Sequence, residues 1–223
     1  MFKKNNITKL SCYLLSLLLC SCGDKYEAKK KDKSNSSIDT TDNKKSILKI
    51  DKEDNYGLLV LKNSYNKKNL IKIYNRDNSI WKSFKFDDFF SDIEIMPYAI
   101  KPENNLLVFK TLKKEKGFYE IVVNESDENL IKFIKISDSN FEYQTLAEHI
   151  LTVVFVNFDD KTNPLYEEPN IRSKQLLFNK DEDYYPIKIK DDWLMIEDSN
   201  NKNYWIRWRD SKGKLIIELL YDA

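Results

Sequence analysis

Leu70-Ile71-Lys72-Ile73-Tyr74-Asn75-Arg76-Asp77-Asn78-Ser79-Ile80-Trp81-Lys82-Ser83-Phe84-Lys85-Phe86 reads as a β-hairpin. Ile71 and Ile73 alternate with Lys72, and Ile80, Phe84 and Phe86 share a parity with Lys82. A strand puts alternate side chains on opposite faces, so this spacing predicts two half-buried strands. Arg76, Asp77 and Asn78 supply the turn between them. The same grammar repeats outward. Apolar runs at 57–62, 93–100, 105–112, 117–123, 129–136 and 150–158 are separated by Asn, Asp and Ser clusters every 8–12 residues. The exception is Thr145-Leu146-Ala147-Glu148-His149, a run of good helix formers in which Leu146 and Ile150 stand four apart; it predicts one short helix. The chain is therefore expected to be mainly β.

After Phe158 the composition changes. Asp159-Asp160-Lys161-Thr162-Asn163-Pro164 marks a boundary, and three of the four Trp lie beyond it. Leu194 and Ile196 share one face of a strand, Trp193 and Met195 the other. Tyr204, Ile206 and Trp208 share one face of the next, with Trp205, Arg207 and Arg209 opposite. About 60 residues holding six short strands suit a small barrel. The expected order is an antiparallel β region at 47–158, one short helix near its end, and a small barrel at 159–223.

The first 21 residues read as an address. Lys3, Lys4 and Lys9 precede an apolar run at 10–19, the pattern of a secretory leader. Ten helical residues rise about 15 Å, too little to span a hydrocarbon core of about 30 Å. Leu19-Cys20-Ser21-Cys22 resembles the bacterial lipobox. The resemblance implies diacylglyceryl transfer to the Cys22 thiol and cleavage before it, hence a membrane partner reached through a lipid anchor. All three Cys lie in this region, so the remainder is expected to have no disulfide and no Cys nucleophile. Residues 22–46 then form a polar, low-complexity tether with a typical reach of about 25–30 Å.

The segment 159–223 resembles bacterial SH3-like (SH3b-type) domains, as found in Bacteroidota-like lipoproteins. The residues that carry the resemblance are Asn163 to Lys174 for the first strand and its loop, and Tyr185-Pro186-Ile187-Lys188-Ile189 for the second core strand. Asp192-Trp193-Leu194-Met195-Ile196 and Tyr204-Trp205-Ile206-Arg207 stand for the two Trp strands, with Asp192 and Tyr204 where Gly is usual. The resemblance covers about 30% of the chain and implies binding of peptidoglycan or an extended peptide or protein partner, not catalysis. Beside it stands a reading of the residues themselves. Only four of the 37 basic residues are Arg, and two of them share a strand face with the outward Trp205. Arg forks bind carboxylates, and Trp and Arg concentrate binding energy. Trp205, Arg207, Arg209, Trp193, Tyr166 and Tyr185 are the candidate ligand-binding residues; the competing expectation is ordinary packing, with the Arg paired to Asp198, Asp210 or Glu218.

Other chemistries find little support. A single His and four isolated Gly leave no signature for His-based catalysis or a phosphate loop. His149 reads as structural. Asp51 to Lys62 fails as a calcium loop, because Tyr56 and Lys62 occupy the Gly and Glu positions. No metal, cofactor or enzymatic activity is expected. The net charge is +1. Three Lys leave with the leader, and 23–46 holds seven Lys against five acids, so 47–223 carries −4, which argues against nucleic acid. The expected function is a lipid-anchored envelope binding protein in the cell or outer membrane, facing periplasm or exterior. The alternative is an immunity- or inhibitor-type lipoprotein that blocks a secreted toxin or hydrolase.

Radiolabelled palmitate fed to a bacterial host should enter the full chain and be absent from Cys22→Ser. Label retained in the variant removes the lipobox reading.

Overall fold

The computed structural model describes residues 56–127 and 130–221. The leader, Cys22, the tether at 22–46 and residues 47–55 lie outside the described residues. The described chain is mainly β. A large antiparallel sheet is built from β1 (Gly57–Leu61), β2 (Ile71–Tyr74), β3 (Ile80–Phe84), β4 (Ala99–Lys101), β5 (Leu106–Glu115), β6 (Phe118–Val122), β7 (Ile131–Lys135) and β8 (Phe141–Thr145). Its order is β3-β2-β7-β6-β5-β1-β8, with β4 also on β5. Helix α1 (Leu146–Ile150) and the strand β9 (Phe155–Asn157) follow.

The hairpin at 70–86 forms with Ile71 opposite Phe84 and Ile73 opposite Lys82. Asn75 N–H donates to Ser79 O at 2.8 Å, and Asn78 takes a left-handed φ of 67° that Asn tolerates. One detail differs from the expected alternation. A bulge inserts Trp81 between the pairs Ile73–Lys82 and Tyr74–Ile80. It moves Ile80 to the opposite face from Phe84, and Ile80 is exposed while Phe86 is fully buried.

β1 and β5 are adjacent and buried on both faces. Leu59 and Leu107 join one cluster with Ile71, Ile121 and Ile134. Leu58 and Val108 join the other, with Leu146 and Ile150 of α1. Two-sided burial explains why these strands read as unbroken apolar runs rather than as alternation. Gly57 is the exception inside the run. The Tyr143 ring lies where a Gly57 Cβ would stand, 2.2 Å from it, and stacks on Tyr119 at 5.8 Å.

The second cluster extends into the C-terminal segment, which contributes β10 (Tyr185–Lys190), β11 (Trp193–Glu197), β12 (Asn203–Arg207) and β13 (Glu218–Leu220). β10, β11 and β12 form one antiparallel sheet, and β13 pairs with β9. Trp208 O accepts from Ile216 N–H at 3.0 Å, and Tyr184 O accepts from Val156 N–H at 2.9 Å. These contacts close a ring of backbone hydrogen bonds through β10, β11, β12, the 208–216 turn, β13 and β9. The boundary expected at 158/159 thus falls between β9 and its ring partners. Four strands form after residue 159 rather than six.

Three further expectations need correction. The strand expected at 93–100 shrinks to Ala99–Lys101 plus a bridge between Met96 and Asn124. The strand expected at 150–158 begins only at Phe155, because Ile150 ends the helix. β8 was not anticipated, since Glu142 and Gln144 dilute its apolar pattern at the sheet edge. The expected helix does form. Thr145 caps it by accepting from Glu148 N–H, while Glu148 Oε2 accepts from Thr145 N–H at 2.7 Å.

His149 is almost fully buried on this helix. Its Nδ1 is 2.8 Å from Gln144 Oε1, and its Nε2 is 2.9 Å from the Tyr221 hydroxyl, so it ties α1 to the residue that follows β13. Burial holds the imidazole down at about 4, from an ordinary 6.5. The unfolded chain therefore binds this proton first as pH falls. Stability is fully present above 6.5 and drops by about 3 kcal/mol by pH 4 from this group. Urea midpoints should fall between pH 7 and pH 4.5, and His149→Gln should flatten that slope. An unchanged slope in the variant would assign the titration to other groups.

Candidate binding site

The outer face of the three-stranded sheet follows from its inner face. Leu194 and Ile196 of β11 and Tyr204 and Ile206 of β12 are buried in the shared core. Their neighbours must therefore point outward. The register sets Lys190, Trp193 and Arg207 in one row and Lys188, Met195 and Trp205 in the next. β10 alternates less cleanly than its Ile187-Lys188-Ile189-Lys190 pattern predicts. A bulge between Pro186 and Lys188 leaves Ile187 as the extra residue, and it is exposed.

Segment 163–166 lies along the free edge of β12. Tyr166 and Trp205 exchange two backbone hydrogen bonds, each at 2.9 Å. The buried Asn163 amide plays the part of a peptide group: its Nδ2 donates to Arg207 O at 2.7 Å and its Oδ1 accepts from Arg207 N–H at 3.0 Å. The Tyr166 ring meets Trp193 edge-on at 5.4 Å, and the Arg207 guanidinium lies over that indole, 5.4 Å from its centroid. Lys188 lies 5.6 Å from the Trp205 ring.

Five of the six expected residues are brought together. Trp205, Arg207 and Arg209 are half-buried, and Trp193 and Tyr166 are largely buried as packing beneath them. Tyr185 stands apart, paired with Glu197 at the far end of the sheet and packed on Phe155. Its neighbour Tyr184 belongs to the core and stacks on Phe178. The Arg do have an acidic partner, but not one of the three expected. Asp192 Oδ2 accepts from Arg207 Nη2 at 3.1 Å, and its Oδ1 accepts from Arg209 Nε at 2.6 Å. Asp192 sits in the turn of the β10–β11 hairpin, and its backbone O accepts from Trp208 N–H. That turn reads as solvated from sequence, because nothing local signals that Arg207 folds back over it.

Away from this face, a hollow of about 420 Å³ opens between the end of β1, β8 and α1. It is lined by Lys62, Asn105, Glu142, Gln144, His149 and Tyr221, among others. Glu142 accepts from Gln144 Nε2 at 2.7 Å, which with the His149 contacts makes one polar chain from an exposed carboxylate to a phenol. Both imidazole nitrogens are committed in that chain, so it offers no free base. Among the described residues no three His, Cys, Asp or Glu gather into a metal-sized cluster, and no helix is long and apolar enough to cross a membrane. No protein family, no curated protein and no solved structure gave a match to the chain.

Asn163→Ala removes both hydrogen bonds to Arg207 and leaves that buried backbone unpaired. The expected cost is about 1–3 kcal/mol, read as a lower urea midpoint. A midpoint within error of wild type would show that water replaces the amide.

Proposed function

We propose that this chain is a lipid-anchored cell-envelope protein whose C-terminal, SH3-like module binds peptidoglycan or an extended peptide. The observation that carries the binding reading is the half-buried Trp205, flanked on the outer sheet face by Lys188 and Arg207. An aromatic surface ringed by cations suits an extended, anionic ligand. The closed ring of short strands supports the SH3-like reading, and the leader with Cys22 supports the anchor. A tether of 24 residues after Cys22 gives the module enough reach to meet the wall from a membrane surface.

One observation favours the inhibitor-type alternative. In the loop after β3, Phe89 and Ile93 are 93% and 88% exposed, among Asp87, Asp88, Asp92 and Glu94. Bare apolar side chains within an acidic loop fit a basic protein partner better than they fit a polysaccharide.

Detergent-solubilised full chain should co-sediment saturably with purified sacculi. Trp205→Ala, with circular dichroism unchanged, should weaken that binding about tenfold. Failure of the wild type to sediment sinks the wall-binding reading and moves the Phe89 loop to the front; equal binding by the folded variant removes Trp205 from the site.

A further inference from the structure

We propose that Asp192 is an internal stand-in for a ligand carboxylate, and that the Arg207–Arg209 pair recognises the free carboxylates of peptidoglycan stem peptides. The inference rests on the wall-binding reading and names the group that the face would read.

Asp192 is the carboxylate that both guanidiniums of this face meet. Asp192 takes only one contact from each guanidinium, Nη2 of Arg207 and Nε of Arg209. Among the described residues, Arg207 Nη1 and both terminal nitrogens of Arg209 donate to no acceptor. A carboxylate bound in parallel by two N–H groups of one guanidinium is held more strongly than one held by single contacts. The free fork edges therefore offer an incoming carboxylate more than Asp192 takes.

Displacing Asp192 leaves the site in place, because other contacts hold the two Arg. The Arg207 guanidinium lies 5.4 Å from the Trp193 ring and that of Arg209 4.5 Å from the Trp208 ring. Arg207 Nε also donates to Arg209 O at 3.4 Å. The side chains of Arg207, Arg209 and Asp192 are 27%, 37% and 37% exposed. An ion pair this accessible to water contributes little to stability, so exchanging its anion costs little. Trp205 and Lys188, one row along, supply contact for the rest of an extended peptide.

The test is co-sedimentation of the full chain with two preparations of the same sacculi. One is untreated; in the other, carboxylates are converted to amides with carbodiimide and ammonium chloride. Amidation should weaken binding about tenfold, the loss expected for one charge-assisted contact. Asp192→Asn removes the internal competitor and should tighten binding to untreated sacculi about threefold to tenfold. Arg207→Lys keeps the charge, loses the fork and should weaken it. Tryptophan fluorescence melting confirms that each variant folds; if Asp192→Asn does not, the amidation and Arg207→Lys arms decide. No binding of wild type to untreated sacculi overturns both this inference and the wall-binding reading. Binding that survives amidation, or is unchanged by Arg207→Lys, overturns the carboxylate inference alone. Weaker or unchanged binding by folded Asp192→Asn shows that Asp192 orients the Arg rather than standing in for a ligand.

Discussion

Burial of β1 and β5 on both faces is the constraint from which the rest of the structure follows. A strand pair made of Leu58, Leu59, Leu107, Val108 and Phe109 has no side to offer to water. One face is covered by the sheet's own neighbours and the loop after β3. The other needs a second layer, and α1, β9 and the C-terminal ring supply it through Ile150, Val156, Leu165, Leu194 and Ile206. Truncating Ile150, Leu165, Leu194 or Ile206 to Ala would remove about 2–5 kcal/mol, a large share of an ordinary domain's stability. The ring is thus held by the same core that it completes. That anchoring fixes the inner faces of β11 and β12, and with them the orientation of Trp205 and Arg207 outside.

Two carboxylates near this sheet show how differently committed acidic groups can be. Asp198 is buried in the β11–β12 turn. Burial alone would raise its pKa, but hydrogen bonds from Lys202 N–H, the Tyr204 hydroxyl and Asn200 N–H outweigh it and hold the group below its ordinary value. It shapes the turn and has no capacity left for a ligand. Asp192 is open to water and meets two cations that are positioned by rings instead. A buried carboxylate and a solvent-accessible one sit at opposite ends of the same strand β11. The difference between them is burial and the number of backbone donors, not residue type.

The legible part of this chain was local. Period-two alternation placed β2 and β3, apolar runs placed β1, β5, β6 and β7, and a run of helix formers with Leu146 and Ile150 four apart placed α1. The face assignments Leu194/Ile196 and Tyr204/Ile206/Trp208 also follow from alternation alone. What failed depends on pairing across long separations. The bulges at Trp81 and Ile187 shift parity without any residue type that announces them. β8 is an edge strand, half solvated, so its pattern is weak. Asp192 and Asn163 are distant in sequence from Arg207, and only the closed ring brings them to it. Residue type groups Tyr185 with the site, whereas register sets it two rows from Arg207.

The ring's dependence on β9 also bears on where function resides. A segment beginning at residue 159 lacks the strand that pairs with Leu219 and receives Tyr184, so it would leave one edge of β13 and one of β10 unpaired. Open edges of that kind invite pairing with other chains. It would also bare Leu194, Ile196 and Ile206, whose partners Leu58, Val108 and Ile150 lie upstream. The resemblance over 159–223 therefore describes a surface more than a separable part. The large sheet, for which no ligand-bearing face is needed, supplies the apolar support that holds the aromatic and cationic face still. An arginine pair kept in position by indole rings over such a support needs little reorganisation when its anion changes. A half-exposed ion pair so supported exchanges its partner at less cost than the better-buried polar groups of the same molecule.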